Sequence, residues 1–239
     1  METFVQPKRR ISSLIKDEHR LRDVHMFKKL SEPELLDLEF NSVYKNFKKR
    51  TVIYREGCRH SGLYVVLKGI VKIYKIGANG KQQILKFAQV GDLIGYRSLL
   101  TNELACTSAK AYDDTVVCHI PYNTMLHLFQ QNWDFTHGMM KFMCKELGES
   151  NTFITDIAQK TVRERTAEML LILKDEFGLD KYNALQIAVT REDLANMVGT
   201  VTESLIRVMS EFRNENLLDL TGRKIIFLDT KSLQSIANI

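Results

Sequence analysis

The chain reads as an α+β protein with an N-terminal β-roll, one long helix and a C-terminal winged helix-turn-helix. Three observations support this. β-Branched and aromatic runs punctuated by glycine recur from Thr51 to Pro121. An apolar repeat stepping by three and four follows, from Met140 to Thr161. Two short amphipathic segments then flank Gly199, and a hairpin pattern succeeds them.

Composition bounds the functional classes. The 239 residues suffice for one large or two modest domains, each with its own core. A hydrophobic content of 44% with 26% charged residues describes a soluble globular chain. The net charge of +5 permits contact with nucleic acid without demonstrating it. No apolar run approaches the roughly 20 residues of a membrane span. The first residues, METFVQPKRRISSLIKDEHR, lack the apolar core of a secretory signal. The expectation is therefore a cytoplasmic protein with no membrane partner, and residues 1–26 form a basic amphipathic leader, helical after Pro7. Cys58, Cys106, Cys118 and Cys144 are widely spaced, with no C-x-x-C grouping. That spacing predicts no metal or iron–sulfur site and favours reduced, buried thiols.

The β-roll is expected over 27–133. Ser31-Glu32-Pro33-Glu34 is a helix start, with a capping hydroxyl and acids at the positive end of the dipole. Strands follow at Thr51–Tyr54, Leu63–Leu67, Ile70–Tyr74, Gln83–Phe87, Lys110–Tyr112 and Val116–Ile120. Asn79-Gly80 marks a hairpin between the third and fourth of these runs. Eight or so short strands at this spacing imply a sandwich or barrel-like roll. Tyr122–Gln131 reads as a short helix.

A dimerisation helix is expected over 134–160. Met140, Met143, Leu147, Ser150, Ile154 and Ile157 form its seam, which is too long to pack wholly on a small roll. Thr161 then caps a helix over Val162–Phe177 that stops at Gly178, with a short polar linker after it. The DNA-binding domain is placed at 161–239.

Thr190 caps the next helix, with Asp193 three residues on, and Leu194, Met197 and Val198 form its apolar face. Gly199, four residues after Ala195, allows the bend. The second helix turns Leu205, Val208, Met209 and Phe212 inward, leaving Thr202, Glu203, Ser204 and Arg207 outward. Those residue types read base edges in a major groove. Thr200 joins them as a DNA-contact candidate, and Arg191 and Arg213 are phosphate-contact candidates. The alternative is an ordinary helical hairpin in which Glu203 and Arg207 form a solvated pair. The hairpin pattern Leu217–Leu228, turning at Thr221-Gly222, favours a winged helix on double-stranded DNA.

In this order of parts, the chain resembles the cyclic-AMP receptor protein and fumarate–nitrate regulator (Crp/Fnr) family of bacterial transcription factors. The resemblance rests on REG at 55–57, VVLKG at 65–69, QVGDLIG at 89–95 and VTREDLANMVGTVTESLIRVMSEF at 189–212. It implies a cyclic-nucleotide-binding-like double-stranded β-helix, a homodimer on an inverted repeat, and RNA polymerase as a partner. It also implies that Glu203 and Arg207 read one G·C pair. Thr202 stands where cyclic-AMP binders carry an Arg.

The family's ligand cassette is altered. Gly95-Tyr96 stands where a Gly-Glu pair holds the ribose, and Ala105-Cys106 where an Arg-Ser pair holds the cyclic phosphate. A cyclic phosphate lacking its Arg would be a desolvated, unpaired anion, so cyclic AMP is disfavoured and the effector is open. No cofactor is expected: the iron–sulfur cysteines are missing, and the six histidines qualify as haem ligands by type alone. The effector-pocket candidates are Gly95, Tyr96, Arg97, Ser98, Ala105, Cys106, Ser150 and Asn151. Gly95-Tyr96-Arg97-Ser98 opens a short helix that suits an anion, although Tyr96 filling the vacated space accounts for it better. No nucleophile–base pair or phosphate loop points to an enzyme. The competing class is a ligand-binding signalling module that acts through protein contacts.

Overall fold

The computed structural model describes residues 21–238. The helix expected after Pro7 lies outside them. The chain forms two compact units, one comprising residues up to Ile73 with Phe87–Phe142, the other Tyr74–Lys86 with the chain from Met143 onward. This division differs from the sequential one expected from sequence, because a hairpin tip and most of the long helix join the C-terminal elements.

The roll is built from two four-stranded sheets. In the first the order is β1 (Val43–Phe47), β8 (Thr115–Pro121), β3 (Gly62–Lys68) and β6 (Leu93–Ile94). In the second it is β2 (Val52–Tyr54), β7 (Ser108–Ala111), β4 (Val71–Ile76) and β5 (Gln82–Ala88). Strand β3 explains why the pattern closes. It is buried on both faces, so its sequence is a continuous apolar run rather than an alternation. Leu63, Val65 and Leu67 enter a core with Leu21, Phe27, Leu38, Met125, Phe135 and Met139. Tyr64 and Val66 point the other way, to Tyr54, Ile73, Ala109 and Val117.

Several expectations change here. Two strands, β1 and β6, were not legible in the sequence. Asn79-Gly80 lies within a longer loop, residues 77–81, closed by Gly77 N–H donating to Lys81 O at 2.8 Å. The leader does not end outside the roll: Leu21, on a short 3-10 turn, and Val24, capping a second, are buried in its core. Of the cysteines only Cys118 is buried, while Cys58 and Cys144 are exposed; all four are free thiols.

Helix α1 (Glu32–Asn41) starts on a reciprocal cap, in which Ser31 N–H and Oγ both bond Glu34 Oε2, at 2.7 and 2.6 Å. The Ser31 hydroxyl, then Asn132, holds the Glu34 carboxyl below its usual range. Helices α2 (Tyr96–Thr101) and α3 (Tyr122–Gln131) follow, and then α4 (Trp133–Gln159). Only Phe135 and Met139 of α4 are buried.

In the second unit, α5 (Val162–Phe177) begins at a Thr161–Glu164 capping box. It packs against α6 (Arg191–Val198), α7 (Thr202–Asn214) and α8 (Thr230–Ala237), and α7 in turn meets the hairpin of β9 (Leu218–Thr221) and β10 (Lys224–Phe227). Helix α8 was not foreseen. It buries Leu233 and Ala237 and is capped by Asp229, which accepts from Ser232 N–H at 3.0 Å. The segment after Gly178 is not a free polar linker either. It bridges Leu179 to Leu185 and Ala184 to Ile226, and Leu185, Ile187 and Val189 are buried.

Candidate nucleic-acid interface

Local chemistry shapes the α6–α7 pair. Thr190 Oγ1 accepts from Asp193 N–H at 3.0 Å, satisfying one of the unpaired donors at the start of α6. Gly199 ends α6 at φ 74, a left-handed conformation that a β-carbon would strain. Leu205, Val208, Met209 and Phe212 are buried, which fixes the rotation of α7 about its own axis. Glu203 and Arg207 are consequently exposed, with Thr202 and Ser204 half-exposed beside them.

Helix α7 is clamped from its α5 side. Arg163 of α5 bonds Glu215 at 2.6 Å and Glu211 at 3.3 Å, with its guanidinium 4.8 Å from the centroid of the Phe212 ring. Arg165 donates to the carbonyls of Val198, Ile157 and Lys160, at 3.0 to 3.1 Å, joining the end of α4 to the end of α6. Lys160 sits between Asp156 at 3.1 Å and Glu168 at 2.8 Å.

Thr200 departs from the expected outward set. It is buried at 9% exposure, and its carbonyl accepts from Lys81 Nζ at 2.6 Å, so it belongs to the turn's packing rather than its outer face. Arg191 is half-buried at the start of α6, and its Nη1 is enclosed without a hydrogen-bond partner. Burial lowers its pKa. Arg213 is exposed and lies 3.8 Å from Asp219 of β9. Arg223 and Lys224, exposed at the hairpin turn, were missed from sequence; a basic pair next to the Gly222 turn was the available signal.

The effector-pocket candidates are not all brought together. Gly95 is left-handed at φ 77, and the Tyr96 ring packs edge-on to Phe142 at 5.2 Å. Arg97 is exposed, 3.6 Å from Glu103, with Cys106 holding its pKa up. Ser98 and Ala105 are buried. Ser150 and Asn151 are exposed on α4 in the other compact unit, and Ser150 Oγ donates to Glu146 O. Along the expected seam, Met140, Leu147, Ile154 and Ile157 are 48%, 62%, 65% and 43% exposed. Met143 is half-buried.

Comparison with known proteins agrees with this layout. A model of the cyclic nucleotide-binding domain matches residues 44–132, and one of the Crp-like helix-turn-helix domain matches residues 164–236. The chain is 28% identical over 192 residues to the transcriptional activator protein anr of Pseudomonas aeruginosa, covering 80% of this chain and 78% of that protein. It is 26% identical over 197 residues to the fumarate and nitrate reduction regulatory protein of Vibrio cholerae, covering 82% and 78%. A structure of a Crp/Fnr-family regulator from Eubacterium rectale superposes with a TM-score of 0.74 at 21% identity, covering 90% of this chain and 98% of that one, a likeness of fold.

A cyclic-nucleotide-binding-type roll joined to a helix-turn-helix domain defines a DNA-binding transcription regulator. The chain belongs to the Crp/Fnr family. Among the described residues no helix is long and apolar enough to cross a membrane.

Proposed function

We propose that this protein is a homodimeric, sequence-specific regulator that reads an inverted repeat through α7 and senses something other than cyclic AMP. The observation that carries the DNA reading is the exposure of Glu203 and Arg207 on a helix whose opposite face is buried. Arg207 donates to a guanine and Glu203 accepts from its paired cytosine. Dimerisation is supported by the solvent-facing apolar stripe from Met140 to Ile157. A seam of this kind buries itself against a second copy. Arg191, Arg213, Arg223 and Lys224 supply phosphate contacts. Relatives bearing the name of transcriptional activators support RNA polymerase as the partner at the promoter, in the cytoplasm.

Selection of binding sites from random DNA tests this reading. The expected motif is an inverted repeat with half-site centres about 10–10.5 base pairs apart, or a multiple of that spacing. Failure to enrich any motif, with salt-independent retention of DNA, would favour a module acting through protein contacts. Cyclic AMP should leave DNA affinity unchanged, because Ala105 is buried at 3% exposure where a phosphate-holding Arg is required. Calorimetry finding cyclic AMP bound more tightly than about 10 μM would overturn that expectation.

A further inference from the structure

The roll unit carries a cleft of about 1230 Å³, and Tyr54, His60, Tyr64 and His119 form its aromatic wall. It borders the altered cassette: Ser98 of the effector-pocket candidates lines it together with Leu99, whereas Tyr96, Ala105 and Cys106 do not. The rings are in mutual contact, with centroids 4.9 Å apart for Tyr54 and His60, 5.7 Å for Tyr54 and Tyr64, and 4.8 Å for Tyr64 and His119.

Both imidazoles have an unanswered nitrogen. His60 Nδ1 lies 2.7 Å from the Gly62 carbonyl oxygen. A carbonyl only accepts, so Nδ1 carries the proton and Nε2 presents a bare lone pair. That Nε2 and the Nε2 of His119 are buried without a hydrogen-bond partner, and His119 as a residue is only 8% exposed. Buried polar atoms of this kind are costly unless something meets them. Backbone makes room for both rings. A β-carbon on Gly62 would stand 2.8 Å from His119 Nε2, and one on Gly95 would stand 2.8 Å from His60 Cε1.

Charge decides the kind of ligand. Lys45 Nζ lies 5.8 Å from the Tyr64 ring centroid, and Arg55 and Arg59 line the cleft, against the single acid Glu103. Burial, then Lys45 and His60, holds His119 down at about 4, so its ring is neutral at physiological pH. This positive surround opposes a metal cation. Among the described residues no group of three or more His, Cys, Asp or Glu is placed to hold one.

We propose that the cleft binds a small aromatic anion carrying a hydroxyl or amino donor. Its ring lies against Tyr54 and Tyr64, its donor meets an imidazole Nε2, and its anionic group faces Lys45, Arg55 and Arg59. The proposal stands apart from the DNA-binding reading and would survive its failure.

The test titrates the full chain, labelled with ¹⁵N-histidine, with 4-hydroxybenzoate, benzoate, phenol and zinc chloride in separate arms. Ring-nitrogen signals are followed by NMR. The expected result is a saturable shift at the Nε2 of His60 or His119 with 4-hydroxybenzoate, and weaker binding of benzoate and phenol. Affinity should fall about tenfold in the surface variant Arg55→Ala/Arg59→Ala, the equivalent of about 1.4 kcal/mol, and in His119→Gln. The surface variant keeps the test alive if His119→Gln misfolds. No shift at either ring with up to about 5 mM 4-hydroxybenzoate overturns the proposal. So does binding indifferent to the arginine substitutions, or a response to zinc alone, which would make the cleft a metal site.

Discussion

Lys81 Nζ donates to the Thr200 carbonyl oxygen at 2.6 Å, tying the β4–β5 hairpin tip to the turn between α6 and α7. Gln83 Nε2 makes a parallel contact to Met197 O at 3.1 Å. Met197 lies in the last turn of α6, where the helix leaves acceptors unsatisfied, and Thr200 lies two residues beyond the helix, near the end where the dipole favours a cation. Inside one compact unit, part of the roll sequence thus holds the turn of the helix-turn-helix.

Replacing Lys81 by Met should loosen that turn. Charge-assisted hydrogen bonds contribute about 1.5–3 kcal/mol. The amides of Gly199 and Thr200, which both bond Ala195 O at 3.0 Å, should exchange with solvent roughly tenfold faster or more. Hydrogen-exchange rates at these two amides check this; unchanged rates would mean the tie adds nothing.

Arg207→Ala should weaken specific binding by about 1–3 kcal/mol per half-site and relax the preference at one base pair. Arg213→Ala should weaken all sequences alike and reduce the salt dependence. Site selection with each variant separates the two. If Arg207→Ala enriches the wild-type motif, Arg207 does not read a base.

Leu147→Glu combined with Ile154→Glu should give monomers. Both side chains are more than half exposed in the single chain, so the substitution is tolerated there and penalised only where a second copy covers it. Sedimentation at micromolar concentration is the measurement, and a persistent dimer would move the interface elsewhere.

Acid should destabilise the roll through His119. Its folded pKa of about 4 lies below the ordinary 6.5, so the unfolded chain binds the extra proton between those values. The contribution is whole above about pH 6.5 and is lost as pH falls towards 4. Lys45 and His60 face the ring, and His60 is itself lowered by burial. Urea unfolding followed by circular dichroism should show about 1–2 kcal/mol less loss between about pH 7 and pH 5 in His119→Gln than in wild type. Equal losses would show that His119 does not titrate across this window.

The helix-turn-helix was legible because its determinants are local. The Thr190 cap, the left-handed Gly199 and the apolar face Leu205–Phe212 all lie within one short stretch, and each acts on its immediate neighbours. The exposed apolar stripe of α4 was legible for the same reason, since the helical repeat alone places its residues on one face. Strands β1 and β6 were not. Strand β6 is two residues long, and β1 is largely exposed, so neither carries a pattern without the partner strands that order it.

Sequence alone therefore determined most of the elements and their order, short of β1, β6 and α8, because periodicity, caps and turn residues act over a few positions. Residue identity alone, at Tyr96, Ala105 and Cys106, likewise argues against cyclic AMP as effector. Only the tertiary structure decided that Thr200 is buried, because the lysine that meets its carbonyl is 119 residues away. The tertiary structure alone also decided that His60 and His119 share one cleft. Tyr64 and His119 face each other in the β3–β8 register, and the His60 ring is pinned to the first residue of β3. Strand pairing brings together residues far apart in the chain, and no local preference announces it.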